Sequence, residues 1–227
     1  MFSVMIEQNI KKLFEEIPQT NPFGEKITVV AAVKFQTPED INRAINAGIT
    51  DIGDNHVQEF RDKFELISGN PRRHFIGRLQ TNKIKYLLGK CDLYQSVDRL
   101  PLAEKLSQMS ADKDVISNIL IEINIGGELS KGGFPPQEAK EAYEKIKSLP
   151  HLKVRGFMTM LPLDASEEQS ICLAKQMREI YDTVRAYDSD CTCLSMGMSG
   201  DWKICVDAGS NMIRLGTSIF GERVHKN

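Results

Sequence analysis

The sequence predicts an α/β fold, a (β/α)8 barrel of the TIM type with an additional N-terminal helix. Three observations carry that expectation. Strand-like apolar runs alternate with helix-like runs along the 227 residues, eight such strands can be counted, and no segment rich in Pro, Gly or Ser divides them. A doubly wound open sheet is the competing architecture. It would more naturally follow its first strand with Gly-x-Gly-x-x-Gly, where this chain has Lys34-Phe35-Gln36-Thr37-Pro38. A single domain over residues 1–227 is therefore expected.

The opening segment reads as an amphipathic helix, with Val4, Ile10, Leu13, Phe14 and Ile17 among Glu and Lys, and lacks the continuous apolar core of a signal peptide. The first strand is the run 27–33, followed by a helix from Thr37 or Pro38 to Ala47. A strand at 49–53 and a helix over Asn55–Ser68 come next, then a strand at 73–77 and a helix over Leu79–Leu88. Leu93–Ser96 and the β-prone Ile116–Ile125 are the fourth and fifth strands, separated by a helix over Leu100–Met109. Pro135-Pro136 starts a helix reaching about Leu149, as prolines do in a first turn. The last strands are Lys153–Phe157, Thr192–Met196 and Met212–Leu215, with helices at 166–187 and 200–208.

Composition narrows the function. The chain is 41% hydrophobic and 26% charged, with a net charge of −2 and no long basic block, so it offers no electrostatic footprint for nucleic acid or anionic membrane. Its five cysteines form no Cys-x-x-Cys pair, and Cys191-Thr192-Cys193 has no histidine at zinc-ligand spacing, so reduced thiols in a cytoplasmic protein are expected. No run reaches membrane-spanning length. Nothing reads as an obligate interface, so a monomer is the expectation.

Active sites of such barrels are built where strands end. Lys34 ends the apolar run Ile27–Val33, and two readings of it stand. It caps an exposed strand end, or it is a desolvated amine able to attack an aldehyde. After the last strand, Gly216-Thr217 offers open backbone N–H groups and a hydroxyl, and Ser195 on the preceding strand offers another; the loops after strands seven and eight are a recurrent phosphate site. Arg214 interrupts the apolar run of the last strand. It forms an internal ion pair with a carboxylate such as Glu122, or donates to the ring nitrogen of a bound aromatic cofactor. A Schiff-base lysine, a phosphate cradle and a ring-nitrogen partner together describe pyridoxal 5'-phosphate (PLP).

The sequence resembles the pyridoxal-phosphate homeostasis protein family, single-domain relatives of the alanine racemase barrel and thus fold-type III PLP proteins. The likeness runs from Ile27 to Arg223. It rests on Ala31-Ala32-Val33-Lys34, on Gly53-Asp54-Asn55-His56-Val57-Gln58-Glu59, on His74-Phe75-Ile76-Gly77-Arg78 through Lys83, and on Glu122–Ile125 leading to Ser130-Lys131-Gly132-Gly133. Its strongest mark is Leu194–Asp201 continuing through Gly209–Thr217 to Phe220-Gly221. The resemblance implies that Lys34 carries PLP as a Schiff base, that Arg214 faces the pyridine nitrogen, and that Ser195, Gly216 and Thr217 hold the phosphate. Asn55 and His74 would line the same mouth. Read from the residues, Met158, Met160, Met196 and Met198 are adaptable packing around the rim, or Met196 and Met198 touch the cofactor. It also implies a carrier of the vitamin B6 pool serving PLP-dependent apo-enzymes, without established turnover. Asp54, where glutamate is commoner, and Arg73, where an aromatic is, depart from the family pattern.

Two enzyme readings remain beside it. A PLP-dependent amino-acid racemase of low activity needs a second acid/base, which the resemblance to alanine racemase implies is a tyrosine from a further C-terminal domain across a dimer. This chain ends at Asn227, and Tyr86, Tyr94, Tyr143, Tyr181 and Tyr187 read as packing residues. A phosphosugar barrel with a Schiff-base lysine would use the same cradle without needing Arg214. Lys131, after the fifth strand, is a further amine that could receive PLP.

Overall fold

Eight parallel strands close on themselves in chain order in the computed structural model, which describes residues 5–128 and 131–222. Val4, Ser130 and Arg223, used in the sequence reading, lie outside the described residues. The strands are β1 (Thr28–Ala32), β2 (Asp51–Asp54), β3 (Arg72–Phe75), β4 (Leu93–Val97), β5 (Ser117–Glu122), β6 (Leu152–Met158), β7 (Cys193–Ser195) and β8 (Met212–Leu215). Closure is made where β1 pairs with β8, with Val30 beside Arg214 and Ala31 beside Leu215.

The helices are α1 (Met5–Glu16), α2 (Pro38–Asn46), α3 (Val57–Lys63), α4 (Leu100–Asp112), α5 (Ala139–Lys147), α6 (Glu167–Arg185), α7 (Trp202–Asp207) and α8 (Thr217–Phe220). Local chemistry sets their starts. Thr37 caps α2 by accepting the Asp40 N–H, with Pro38 in the first turn, and Ser166 and Gln169 form a capping box on α6. The N-terminal helix forms as expected, burying Ile6, Ile10 and Leu13 in a cluster with Ile41, Ile213 and Ile219.

Two helices are shorter than the sequence suggests. His56 is extended, so α3 begins at Val57, and it tightens into a 3-10 turn at Phe64–Leu66 before Gly69 and Asn70 adopt positive φ. The segment after β3 is a 3-10 helix at Thr81–Tyr86. Its buried Ile84 and Leu87 are three apart, a spacing that three residues per turn satisfy, and Gly89 at φ 76° stops it. β5 also ends early, because Ile123 leaves the ladder to bridge Phe134.

Alternate residues of each strand face the barrel axis. Val30, Leu93, Leu120, Met158 and Met212 pack there as a small apolar cluster, separate from the larger helix-facing core. The same inward-facing rows carry Asp51, His74, Gln95, Ser195 and Arg214, all buried. No helix among the described residues is long and apolar enough to cross a membrane.

Candidate cofactor site at the barrel mouth

Lys34 continues the inward row of Val30 and Ala32 two residues beyond the end of β1. It sits in a tight turn closed by the Gln36 N–H donating to the Val33 carbonyl at 3.1 Å, with Phe35 at φ 62°. The Phe35 N–H donates to Glu59 Oε2 at 2.7 Å, and Glu59 is ion-paired with Lys63 at 2.5 Å, so α3 clamps the turn that presents the lysine. Lys34 is half-buried, and among the described residues its Nζ has no hydrogen-bond or ion-pair partner. An uncompensated amine in that setting is rare for a structural lysine. It opens on a cavity of about 500 Å³ that it shares with Ala32, Leu163, Ser199, Arg214, Gly216 and Thr217.

Arg214, 5% exposed, projects inward from β8. The internal ion pair with Glu122, one of its two readings, does not form. Nη1 donates instead to Ser195 Oγ at 2.5 Å and Nη2 to the Thr159 carbonyl at 2.8 Å, which leaves three of its five N–H groups uncommitted by these bonds. Burial lowers the guanidinium from its ordinary pKa, opposed by Cys205, Asp201 and Glu122, and a guanidinium stays charged inside proteins. Glu122 stays nearby, 7% exposed; burial, reinforced by Asp98 and opposed by Arg214, pushes its carboxyl up to about 7.

Beside Arg214, Gly216 leaves the cavity wall bare. A Cβ there would lie 3.6 Å from Ala32 Cβ, tolerable for the fold but filling the space. Ser199 Oγ accepts the N–H groups of Gly216 at 3.2 Å and Ser218 at 3.3 Å, so the loops after β7 and β8 are tied together at this wall. Asp201 braces the first of these loops by accepting the Met198 N–H at 2.5 Å.

Of the residues expected at the site, Lys34, Arg214, Gly216 and Thr217 meet at the cavity, and Met198 joins them. Asn55 stands half-buried after β2, its Oδ1 buried without a hydrogen-bond partner, outside the lining. Three others are not brought to the cavity. Ser195 is fully buried, with its hydroxyl given to Gln95. Met196, its neighbour on the opposite face, packs in the core between sheet and helices. His74 is fully buried inside the barrel, bonded to Asp51 and Gln95, rather than at the mouth. Each is one strand step too deep or on the wrong face. Lys131 is ion-paired with Glu128 and does not line the cavity, nor does any of the five tyrosines.

The hydroxyl that does reach the wall, Ser199, lies within the Leu194–Asp201 segment and has no motif of its own. Its signal was position: it follows the strand, whereas Ser195 ends it. The contribution of Pro162, Leu163 and Ala165 from the loop after β6 carried no motif.

The donor set suits a small phosphorylated aldehyde bearing a ring nitrogen: one unpaired amine, one guanidinium with spare N–H groups, and a glycine wall carrying backbone N–H and hydroxyl groups. The alanine racemase N-terminal domain model matches residues 6–224. A "Pyridoxal phosphate homeostasis protein" of Aquifex aeolicus is 40% identical over 197 residues, 86% of each chain, and one of Pasteurella multocida is 34% identical over 96% of this chain and 97% of its own. The chain belongs to the pyridoxal phosphate homeostasis protein family. A solved structure of PipY from Synechococcus elongatus with PLP bound is 27% identical, with a TM-score of 0.84 over 95% of this chain and all of that one. Alanine racemase of Clostridium difficile shares the fold at 15% identity and a TM-score of 0.78; this homeostasis-family chain spans 57% of its length.

Proposed function

We propose that this protein binds PLP at the barrel mouth and serves in its homeostasis, holding it as a Schiff base on Lys34 without catalytic turnover of its own. The observation that carries the reading is the unpaired, half-buried Lys34 amine opening on the same cavity as Arg214, Gly216 and Thr217. PLP supplies an aldehyde for an amine, an acceptor nitrogen and a phosphate dianion. Lys34 would take the aldehyde. Arg214, kept charged and held by Ser195 and Thr159, would donate to the ring nitrogen and so keep it unprotonated, which weakens the electron withdrawal that amino-acid chemistry on PLP requires. The Thr217 backbone N–H, with the Ser199 and Thr217 hydroxyls, would hold the phosphate without a lysine cluster, at the wall where Ser199 already accepts the Gly216 and Ser218 N–H groups.

The names of the relatives, pyridoxal phosphate homeostasis proteins, support the carrier reading over the racemase one. The chain is read as a single cofactor-binding barrel, monomeric, that passes PLP to PLP-dependent apo-enzymes. Its five free cysteines support a cytoplasmic setting. Equilibrium dialysis with PLP tests binding: one PLP per wild-type chain is expected, with loss of tight binding in Lys34→Ala. Chiral chromatography of alanine incubated with the loaded protein tests the rest, and steady interconversion of the enantiomers would favour a racemase.

A further inference from the structure

A column of buried side chains runs down the barrel axis from Arg214. Arg214 Nη1 donates to Ser195 Oγ at 2.5 Å, and Ser195 Oγ donates to Gln95 Oε1 at 2.7 Å. Gln95 Nε2 then lies 2.8 Å from His74 Nδ1, and His74 Nε2 lies 2.9 Å from Asp51 Oδ1. The five residues come from β8, β7, β4, β3 and β2, and none is more than 5% exposed. Thr50 donates to the other oxygen of Asp51 at 2.7 Å, and the Arg72 guanidinium stands 3.7 Å from Oδ1 at the far rim.

The direction of the chain follows from its chemistry. Burial opposes ionisation of Asp51, but hydrogen bonds from His74 and Thr50 outweigh it and hold the carboxyl below its ordinary value. An ionised Asp51 only accepts, so His74 donates to it from Nε2; a neutral ring, which carries no second proton, then accepts at Nδ1. Nδ1 can accept only from the amide nitrogen of Gln95, which turns the amide oxygen toward Ser195. The Ser195 proton goes to that oxygen, and the serine lone pairs are left facing Arg214. With that neutral ring each link follows from the one before it, and a buried chain with one reversed link would leave two donors or two acceptors opposed.

We propose that Gln95 and His74 are positioning residues for Arg214: they fix the polarity of Ser195, and thereby the orientation in which the guanidinium presents its free N–H groups to the bound cofactor. The proposal rests on the PLP reading above. Neither residue touches the cavity, so neither contacts PLP. An apolar pair would fill the same interior without the risk of unsatisfied groups, and the polar column is accounted for by what stands at its upper end.

Nitrogen-15 NMR of His74 in the ligand-free protein tests the column without any cofactor. The neutral Nε2–H tautomer is expected, and an Nδ1–H tautomer or a doubly protonated ring would reverse the chain and overturn the proposal. Two substitutions then test the consequence. Gln95→Met keeps the volume but cuts the chain, and should release PLP about tenfold faster and shift its visible band, because one charge-assisted hydrogen bond of Arg214 is loosened. Gln95→Glu still accepts from Ser195, so it should restore slow release while converting His74 to the doubly protonated form in the NMR spectrum. Packing alone would not separate these two variants. Release and band unchanged in Gln95→Met, or equally altered in both, overturns the proposal and leaves PLP binding standing. A wild-type protein that acquires no visible band in excess PLP overturns the PLP reading, and with it the role assigned to the column.

Discussion

Asp54 closes β2 at 2% exposure, with Oδ1 bonded to nothing among the described residues. Burial pushes its carboxyl up to about 7, because the attraction of Lys63 and Arg73, partly offset by Glu59, does not replace lost hydration. The folded state therefore holds this proton more tightly than the unfolded chain, whose aspartate titrates near 3.8. Stability contributed by the neutral acid is full below that value and is lost as pH rises through about 7. At about 1.4 kcal/mol per unit, ionising Asp54 costs the fold roughly 4 kcal/mol in total, of which about 3 kcal/mol falls between about pH 5 and pH 8. Asp54→Asn keeps the shape and removes the titration. Urea unfolding of both proteins across that range, read as midpoints at constant slope, should show the variant gaining on wild type by about 3 kcal/mol toward the alkaline end. A stability difference that does not change with pH would mean that Asp54 is solvated or paired, and that burial has not raised its pKa.

Ser199→Ala removes the oxygen that ties Gly216 and Ser218 to the loop after β7 and should weaken PLP binding about tenfold, with unphosphorylated pyridoxal unaffected in the same fluorescence titration. Gly77→Ala would set a Cβ 2.0 Å from the Asn55 carbonyl oxygen; the two strand ends must separate, and thermal or urea unfolding should register a loss of more than about 2 kcal/mol. Gly216→Ala meets only an ordinary contact with Ala32, so its unfolding midpoint should hold within experimental scatter while its dialysis affinity for PLP falls.

The barrel was legible because its apolar runs are short, regularly spaced and separated by helix starts such as Thr37-Pro38 and Ser166, whose capping is local. Lys34 and Arg214 were legible for a related reason: a charge that interrupts or ends an apolar strand needs an explanation in its own immediate sequence. Depth was harder to read. Ser195 and Ser199 look equivalent in a string of letters, yet the three intervening residues carry the chain from the buried column to the cavity wall. His74 looked like a mouth residue because it stands near the end of β3, but its partners Asp51 and Gln95 are set by the register of three strands. Leu163 reaches the cavity from a loop whose path depends on packing across the barrel, and no local pattern announces it.

Borohydride reduction of the PLP-loaded protein, followed by peptide mapping, bears most directly on the role of Lys34. If that amine holds the cofactor, the visible band disappears on reduction and a single phosphopyridoxyl group is found on the peptide containing Lys34. A label spread over surface lysines, concentrated at Lys131, or absent altogether would contradict it.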